Sequence, residues 1–277
     1  MTEDQFTDTI PSVAVGLYGK HPAFGDFVTN GLPETAQATL EKWLHHVMPA
    51  IRDGWGDGWG DLFDASPPIR FWFGGALVDE VGPIFGVMAP SRDTVGRRFP
   101  LAAAVVGSDQ PAPVHGSDQA IYVALTDAMR SFTRDSDTGA SDYTAHVQAA
   151  VAPVLPGPAT PIEPDFWAAR GDGNLQRLWG DVAEVDHNRA AAARSYLWCE
   201  GPGGAAVHVT RGLPDAPVLA WLMTDAVRAT APAAVPMPTL DDDDRGAPAA
   251  PETDRTVPPA ADNENTVSPV DMPQMTD

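Results

Sequence analysis

The chain has 277 residues, and its 38 acidic residues outnumber its 17 lysines and arginines, which gives a net charge of −21. Phosphate backbones and anionic membrane surfaces bind basic patches, so this composition argues against a nucleic-acid partner and a membrane partner. The single cysteine, Cys199, excludes an intrachain disulfide and a thiolate metal cluster.

The two ends of the chain differ in composition from its middle. The first 12 residues are polar and acidic, whereas a secretory signal has a basic start and an apolar stretch. Residues 229–277 hold ten acidic residues, nine prolines and no aromatic residue, too little apolar surface to offset the entropy of ordering. We predict a flexible arm at residues 1–12, a single folded domain at residues 13–228 and a disordered acidic tail at residues 229–277. Without an apolar run of about 20 residues, we predict a soluble, cytoplasmic protein with no direct membrane insertion.

The first half of the predicted domain contains four strands and one long helix. "VAVGLYG" is an apolar run rich in β-formers and predicts a buried strand. A helix follows from residue 33, with apolar residues at helical spacing: Leu40, Trp43, Leu44 and Val47. Pro49 is expected to kink or end this helix. "IRFWFGGAL", "PIFGVMAPS" and "PLAAAVVG" then predict three strands, two of them apolar enough to be buried on both faces.

The second half is richer in helices. "SDQAIYVALTDAMRSFTR" and "SDYTAHVQAAVAPVL" predict helices with Ser117 and Ser141 as N-caps. A helical piece near residues 167–179 precedes two strands, "SYLWCE" and "AAVHVTRG", and a closing amphipathic helix, "DAPVLAWLMTDAVR". Clustered strands flanked by helices, without regular alternation, favour an α/β fold of the α+β type. In this fold a mixed or antiparallel central sheet is covered by helices.

The loop "YGKHPAFGDFV" after the first strand invites comparison with a phosphate loop, G-x-x-x-x-G-K-[ST]. Ala14 stands at the first glycine position, and His21 follows the lysine in place of Ser or Thr, so the pattern fails. Lys20, His21 and Asp26 are residue types used in proton transfer. The surrounding glycines and proline also suit a structured turn, and we favour a structural or partner-facing loop over a catalytic one.

The stretch "DGWGDGWGDLFD" has acidic residues that suggest calcium: Asp53, Asp57, Asp61 and Asp64. Glycines occupy the required oxygen positions and the twelfth-position glutamate is missing, so we favour a helix end with Trp55 and Trp59 on one packing face. The adjacent His45 and His46 point about 100° apart on a helix and cannot bind one metal together. With no H-E-x-x-H and no G-x-S-x-G pattern, we predict no metal, no cofactor and no catalytic residues.

The segment "APSRDTVGRRFPL", residues 89–101, places three arginines and Asp93 between two predicted strands. The arginines suit an anion site with bidentate geometry. Alternatively, Asp93 pairs with Arg97 and holds a connection rigid, which is the interpretation we favour because local Arg–Asp pairs are common.

Taken in order, "GLYGKHPAFGDFV", a tryptophan-containing helix, "PIRFWF" and "GVMAPSRDTVGRRFPL" resemble the TagF family of type VI secretion accessory proteins, also called ImpM. "SYLWCEG" and "RGLPDAPVLAWLM" are similar to the C-terminal half of that family, so the resemblance covers residues 13–223. Phe24 is a departure, because many members carry a basic or small residue there. The matched positions are Gly19, Lys20, Pro22, Gly25, Asp26, Phe27, Trp43, Arg70, Phe71, Pro90, Ser91, Asp93, Val95, Gly96, Arg97, Phe99 and Pro100.

The resemblance implies a cytoplasmic, non-enzymatic regulator that represses the type VI apparatus after translation. It also implies a link to the forkhead-associated scaffold of that system and to the threonine phosphorylation pathway. The two matched loops would then face a partner or each other. The residues we assign to this partner-binding motif are Lys20, Pro22, Gly25, Asp26, Phe27, Ser91, Asp93, Arg97 and Arg98.

Two other functions compete with this one. The first is a hydrolase-like enzyme that uses Lys20, His21, Asp26 and Arg97. The second is a structural component associated with the secretion baseplate, which would show a large exposed apolar interface or a symmetric assembly.

Two further expectations concern single residues. Because the two matched loops carry opposite charges, we expect Asp26 to lie within hydrogen-bonding reach of Arg97 or Arg98. In the tail, "TLDDDD" places Thr239 three residues before an aspartate, a spacing that some forkhead-associated domains prefer in phosphothreonine ligands. Phosphorylated Thr239 would then bind the scaffold; an inert solubilising tail is the alternative.

Overall fold

A seven-stranded sheet lies at the centre of an α+β fold in the part of the chain that the structure describes. The structure, a computed structural model, describes residues 13–79, 82–134, 138–161, 166–201 and 204–224. The strands are β1 (Ala14–Gly19), β2 (Val28–Asn30), β3 (Ile69–Phe73), β4 (Ile84–Ala89), β5 (Leu101–Val106), β6 (Arg194–Gly201) and β7 (Gly204–Arg211). The helices are α1 (Glu34–Trp55), α2 (Trp59–Asp64), α3 (Ala120–Arg134), α4 (Ala140–Val151), α5 (Leu175–Ala191) and α6 (Ala216–Met223).

The sheet has the order β2-β1-β5-β4-β3-β6-β7, and every neighbouring pair is antiparallel. The predicted class is therefore confirmed, and of the two predicted arrangements, mixed or antiparallel, the antiparallel one is correct. The four strands predicted from the first half are β1, β3, β4 and β5. The short strand β2 was not predicted, because three residues are too few to show a period of two.

Helices cover both faces of the sheet, and the strands divide their side chains between two cores. In β5, Ala102, Ala104 and Val106 face the core formed with α1, α2 and α6. Leu101, Ala103 and Val105 face the opposite core, formed with α3 and α4. All six residues of β5 are buried, as expected for a central strand covered on both sides.

Helix α1 buries the predicted stripe. Leu40, Trp43, Leu44 and Val47 are all buried, and the Trp43 indole N–H donates to the Pro214 carbonyl at 2.7 Å. Pro49 does not end the helix, which continues to Trp55. The turns beyond the proline still gain from burying Ile51, which offsets the missing backbone hydrogen bond.

The predicted starts of three helices are wrong. Helix α3 begins at Ala120, whose N–H donates to the Asp118 side chain at 2.9 Å, so Ser117 is not its N-cap. Helix α4 begins one residue before Ser141 and has Gly139 as its N-cap without a side-chain cap. The helix predicted near residues 167–179 begins only at Leu175, capped by Asn174. Ser, Asp and Asn residues lie close together before α3 and α5, so the sequence alone does not single out the residue at which each of these helices begins.

Some predictions lie outside the described residues. They are the arm at residues 1–12, the tail at residues 229–277 with Thr239, and the end of the predicted domain at residue 228. Within the part of the chain that the structure describes, no helix has both the length and the apolar character needed to span a bilayer.

Candidate functional site

The two loops singled out in the sequence lie side by side. Loop 1 (residues 20–27) follows β1, and loop 2 (residues 90–100) connects β4 to β5. β1 pairs antiparallel with β5, and Gly19 lies opposite Leu101. Loop 1 therefore begins, and loop 2 ends, at the same end of this strand pair. The Lys20 N–H donates to the Pro100 carbonyl at 3.3 Å, and the Thr94 N–H donates to the Phe24 carbonyl at 3.1 Å. Backbone hydrogen bonds therefore join the two loops.

Loop 2 is a short antiparallel hairpin. Arg92 and Arg98 form a β-bridge, and the N–H of Phe99 donates to the Ser91 carbonyl at 3.1 Å. The chain reverses in a turn that the N–H of Gly96 closes by donating to the Asp93 carbonyl at 3.0 Å. The hairpin projects its tip, residues 94–96, into solvent.

The Asp93 side chain accepts hydrogen bonds from residues of both loops. Its Oδ1 accepts hydrogen bonds from the backbone N–H of Val95 at 3.1 Å and of Arg97 at 2.8 Å. Its Oδ2 accepts from Lys20 Nζ at 2.7 Å and from Arg97 Nε at 2.6 Å. The Asp93 side chain is fully buried. The predicted pairing of Asp93 with Arg97 is therefore confirmed, and the same carboxylate also ties loop 2 to loop 1.

The environment of Asp93 keeps the carboxyl ionised. Burial by itself raises its pKa, but the hydrogen bonds from Lys20 and from the backbone and side chain of Arg97 outweigh burial. The pKa of Asp93 therefore lies well below its usual range.

The lowered pKa makes the stability contributed by Asp93 depend on pH. Relative to an unfolded value of about 3.9, the contribution is complete above that pH and is lost as pH falls toward the folded-state pKa. We expect the difference in free energy of unfolding between the wild-type chain and Asp93→Asn to be constant from about pH 7 to about pH 5 and to narrow below about pH 4. Urea titrations measure it, and a difference that stays constant down to about pH 3 contradicts the expectation.

Lys20 lies over an aromatic ring that belongs to a larger cluster of rings. Its Nζ lies 4.5 Å from the centroid of the Phe27 ring, a cation–π contact. Phe27 in turn packs against Tyr18, with the ring centroids 5.8 Å apart, and against Phe99, at 5.0 Å. Only 8% of the Lys20 side chain is exposed, so this ammonium group makes its contacts inside the two loops and does not face solvent.

His21 also faces inward. Its Nδ1 accepts from the Ala23 N–H at 3.1 Å, so Nε2 carries the proton that it donates to the Phe132 carbonyl at 2.9 Å. The ring stacks on Phe132 with the centroids 3.9 Å apart. Nε2 thus holds loop 1 against the end of α3, and Nδ1 stabilises the turn within loop 1.

The expected contact of Asp26 with an arginine is wrong. Among the described residues, no hydrogen bond or ion pair joins Asp26 to Arg97 or Arg98. Asp26 accepts from the Phe27 N–H at 2.8 Å, and Arg97 Nη2 instead donates to the Gly25 carbonyl at 2.8 Å. The backbone oxygen of loop 1 thus takes the place that we had assigned to its carboxylate.

Asp64, at the end of α2, holds the other two arginines of loop 2. Arg98 donates to it twice, at 2.9 and 2.8 Å, and Arg92 donates at 3.1 Å. The hydrogen bond from Arg98 is the main cause that lowers the pKa of the Asp64 carboxyl. The sequence indicates Asp64 only as one of four acidic residues that suggest calcium, because its arginine partners lie 28 and 34 residues away.

The remaining metal candidates are dispersed. Within the described residues, no group of three or more His, Cys, Asp or Glu side chains is placed to hold a metal ion. His45 packs on the Phe27 and Phe99 rings, at 5.3 Å from each. Trp55 and Trp59 lie 5.6 Å apart on one packing face, as predicted.

Some of the nine residues that we assigned to the partner-binding motif are buried, and the others are exposed. Lys20, Ser91 and Asp93 are buried, and Phe27 and Arg98 are partly buried. The exposed residues of both loops form what we call the two-loop surface: Pro22, Gly25, Asp26, Arg92, Thr94, Val95, Gly96 and Arg97.

Both loops lie inside a range that is similar to known proteins. A family model described as the TagF N-terminal domain, type VI secretion system-associated, matches residues 16–150. The crystal structure of PA0076 from Pseudomonas aeruginosa PAO1 is similar to the chain, with 31% sequence identity and a TM-score of 0.57. That similarity covers 77% of this chain and 94% of the other. No curated protein matches the chain.

Proposed function

Because the chain belongs to the TagF family of type VI secretion system-associated proteins, we propose that it is a cytoplasmic, non-enzymatic regulator. It represses the type VI apparatus after translation by binding other type VI proteins, and the partner we propose is the forkhead-associated scaffold of that system. The observation that carries this proposal is the two-loop surface, which the buried residues of the family motif hold rigid.

The two-loop surface has the composition of a binding site. Val95 is 72% exposed at the tip of the hairpin, and nothing in the fold requires an apolar side chain there. The other exposed residues of the surface include charged ones, Asp26 and Arg97, and 63% of the Arg97 side chain is exposed. An apolar centre with a polar rim is the usual anatomy of a protein–protein interface.

The same contacts argue for a role without catalysis. Lys20 and His21, the residue types best suited to proton transfer in loop 1, are buried, and their polar atoms are engaged by Asp93, Ala23 and Phe132. A general acid or base must reach a substrate within about 3 Å. We therefore propose that the motif residues position the surface and that a partner, not a small substrate, meets it.

Val95→Glu is expected to weaken binding of the forkhead-associated scaffold by at least about tenfold. The change removes an apolar contact and places a charge in the interface, and each 1.4 kcal/mol is about a factor of ten. Calorimetry with the purified chain and scaffold measures the affinity. Cells that carry Val95→Glu should also lose repression and resume type VI secretion.

The matched control is Val207→Glu, the same substitution at a residue of β7 that is 60% exposed. It should leave both the affinity and the unfolding temperature unchanged. Equal affinities for all three chains would show that the scaffold binds elsewhere, and no binding by the wild-type chain would reject the scaffold as the partner.

A further inference from the structure

A cavity of about 180 Å³ opens beside the two-loop surface, where both loops meet α3. Its apolar walls come from loop 1, the segment before β3, β4, loop 2 and α3: Pro22, Pro68, Val87, Pro90 and Met129. Three of these five side chains are prolines, whose rings have little freedom, so the cavity keeps its shape.

The size of the cavity suits a single side chain. Sites that enclose a small molecule or a cofactor typically measure about 300–1,000 Å³, which is larger than the 180 Å³ found here. An apolar cavity of this size at a surface proposed to bind a protein is the shape that an anchoring side chain of a partner fills.

Two arginines line the same cavity. Arg92 and Arg130 have side chains that are 52% and 60% exposed. Each donates one hydrogen bond to a carboxylate among the described residues, Arg92 to Asp64 at 3.1 Å and Arg130 to Asp127 at 3.4 Å. A guanidinium has five N–H donors, so both retain N–H groups for an anion at the mouth of the cavity.

The charge balance of these arginines selects the kind of anion. Each guanidinium already faces an aspartate, which offsets part of its positive charge. A singly charged carboxylate therefore suits the pair better than a doubly charged phosphate. Asp64 is shared between Arg92 and Arg98, so the three guanidiniums Arg92, Arg98 and Arg130 face only two carboxylates. One positive charge is left at the mouth of the cavity, and it favours an acidic residue of the partner.

Ser91 also lines the cavity, together with Thr126 and Thr133, whose hydroxyl groups donate to backbone carbonyls of α3. The Ser91 hydroxyl is buried and has no hydrogen-bond partner within the part of the chain that the structure describes. Because this oxygen is itself buried, it does not face a ligand in the cavity, and recognition of an anion depends on the two arginines.

We propose that this cavity takes a large apolar side chain of a partner protein, and that the next residue of the partner presents a carboxylate to Arg92 and Arg130. The inference rests on the proposed function, because Pro22 and Arg92 belong to the loops that form the two-loop surface. It names the feature by which the partner is recognised, an apolar residue followed by an acidic one.

The test uses four short peptides and the full chain. N-acetyl-Phe-Asp-amide carries both features, and its matched controls are the Phe-Asn, Phe-Lys and Ala-Asp peptides. The methyl resonance of Met129, identified with Met129→Leu, should shift saturably with Phe-Asp. We expect affinity about tenfold weaker for Phe-Asn, as for the loss of a charge-assisted hydrogen bond, and no saturation with Phe-Lys or Ala-Asp. Equal responses to all four peptides, or no response to any, overturn the proposal.

Two variants identify the groups responsible. Arg130→Gln should weaken the Phe-Asp peptide about tenfold and leave the Phe-Asn peptide unchanged. Arg177→Gln, on the exposed surface of α5, should change neither. An equal effect of both variants would overturn the role of the cavity arginines.

The peptide titration needs no scaffold, so the two proposals fail separately. A chain that binds the scaffold but no peptide overturns this inference alone. A chain that binds the Phe-Asp peptide but not the scaffold overturns the choice of the scaffold as partner and leaves the cavity as a recognition site.

Discussion

Asp93→Asn is expected to lower the midpoint of thermal unfolding by about 10 °C. The asparagine keeps the shape of the side chain but removes the charge that faces Lys20 Nζ at 2.7 Å and Arg97 Nε at 2.6 Å. Without the carboxylate, Lys20 is a buried ammonium group that lacks a counter-charge. The asparagine also has one NH2 group, which donates at a position where the aspartate oxygen accepts hydrogen bonds. Removal of one partner of a buried pair is among the most destabilising single changes. Calorimetry measures the midpoint.

A double variant separates charge from shape. Lys20→Met combined with Asp93→Asn removes both charges, so the combined chain should unfold at a higher temperature than Asp93→Asn alone. Asp64→Asn is the second control. It also faces two arginines, but 33% of its side chain is exposed, so a smaller shift is expected. Strict additivity of the Lys20 and Asp93 changes would show that the two groups act independently.

The elements of the fold that follow from local pattern were predictable. In α1 the buried residues recur at helical spacing, and in β3, β4 and β5 they form short apolar runs. Both patterns can be read directly from the sequence. Helix starts were less predictable, because Ser117 and Asp118 both suit a cap and only the packing of α3 selects between them. The three-residue strand β2 exists because β1 offers it an edge, which no local pattern records.

The candidate site divides in the same way. The pairing of Asp93 with Arg97 spans four residues and was predictable from their spacing. The contact between Lys20 and Asp93 spans 73 residues and depends on the pairing of β1 with β5, which the sequence did not reveal. For the same reason opposite charges alone suggested the wrong partner for Arg97, which binds a backbone carbonyl of loop 1.

Most residues of the family motif that are discussed above therefore fix the conformation of the two loops. Ser91, Asp93 and Gly96 build and close the hairpin of loop 2, and Lys20 fastens loop 1 to it. Only the residues around the hairpin tip and the tip of loop 1 are left to face outward. This division supports the binding role that we propose, because Lys20 and Asp93 bind each other inside the loops and do not face a ligand.

The entry into loop 1 depends on Gly19, and Gly19→Ala is expected to destabilise the domain by about 4 kcal/mol. Gly19 has φ +137°, a conformation that residues with a Cβ rarely adopt. A Cβ at this position would also overlap the carbonyl oxygen of Pro100 and lie 2.8 Å from the Cα of Leu101. Both neighbours are backbone atoms of the paired strand and its loop, so they cannot rotate away. The change should therefore separate Lys20 from Asp93 as well as strain the backbone.

Substitutions at two other glycines separate the cost of the backbone strain from the cost of the overlap with Pro100. Gly96 has φ +84° with nothing within 4 Å of an added Cβ, so Gly96→Ala should cost only the backbone strain, about 1–2 kcal/mol. Gly54, inside α1, has neither a positive φ nor a close neighbour, and Gly54→Ala should stabilise the chain by about 0.5–1 kcal/mol. Urea denaturation of the three variants gives the order. If Gly19→Ala were no more destabilising than Gly96→Ala, the close approach of β1 to Pro100 would contribute nothing measurable to stability, and the position of loop 1 would depend on its hydrogen bonds and on the Lys20–Asp93 pair.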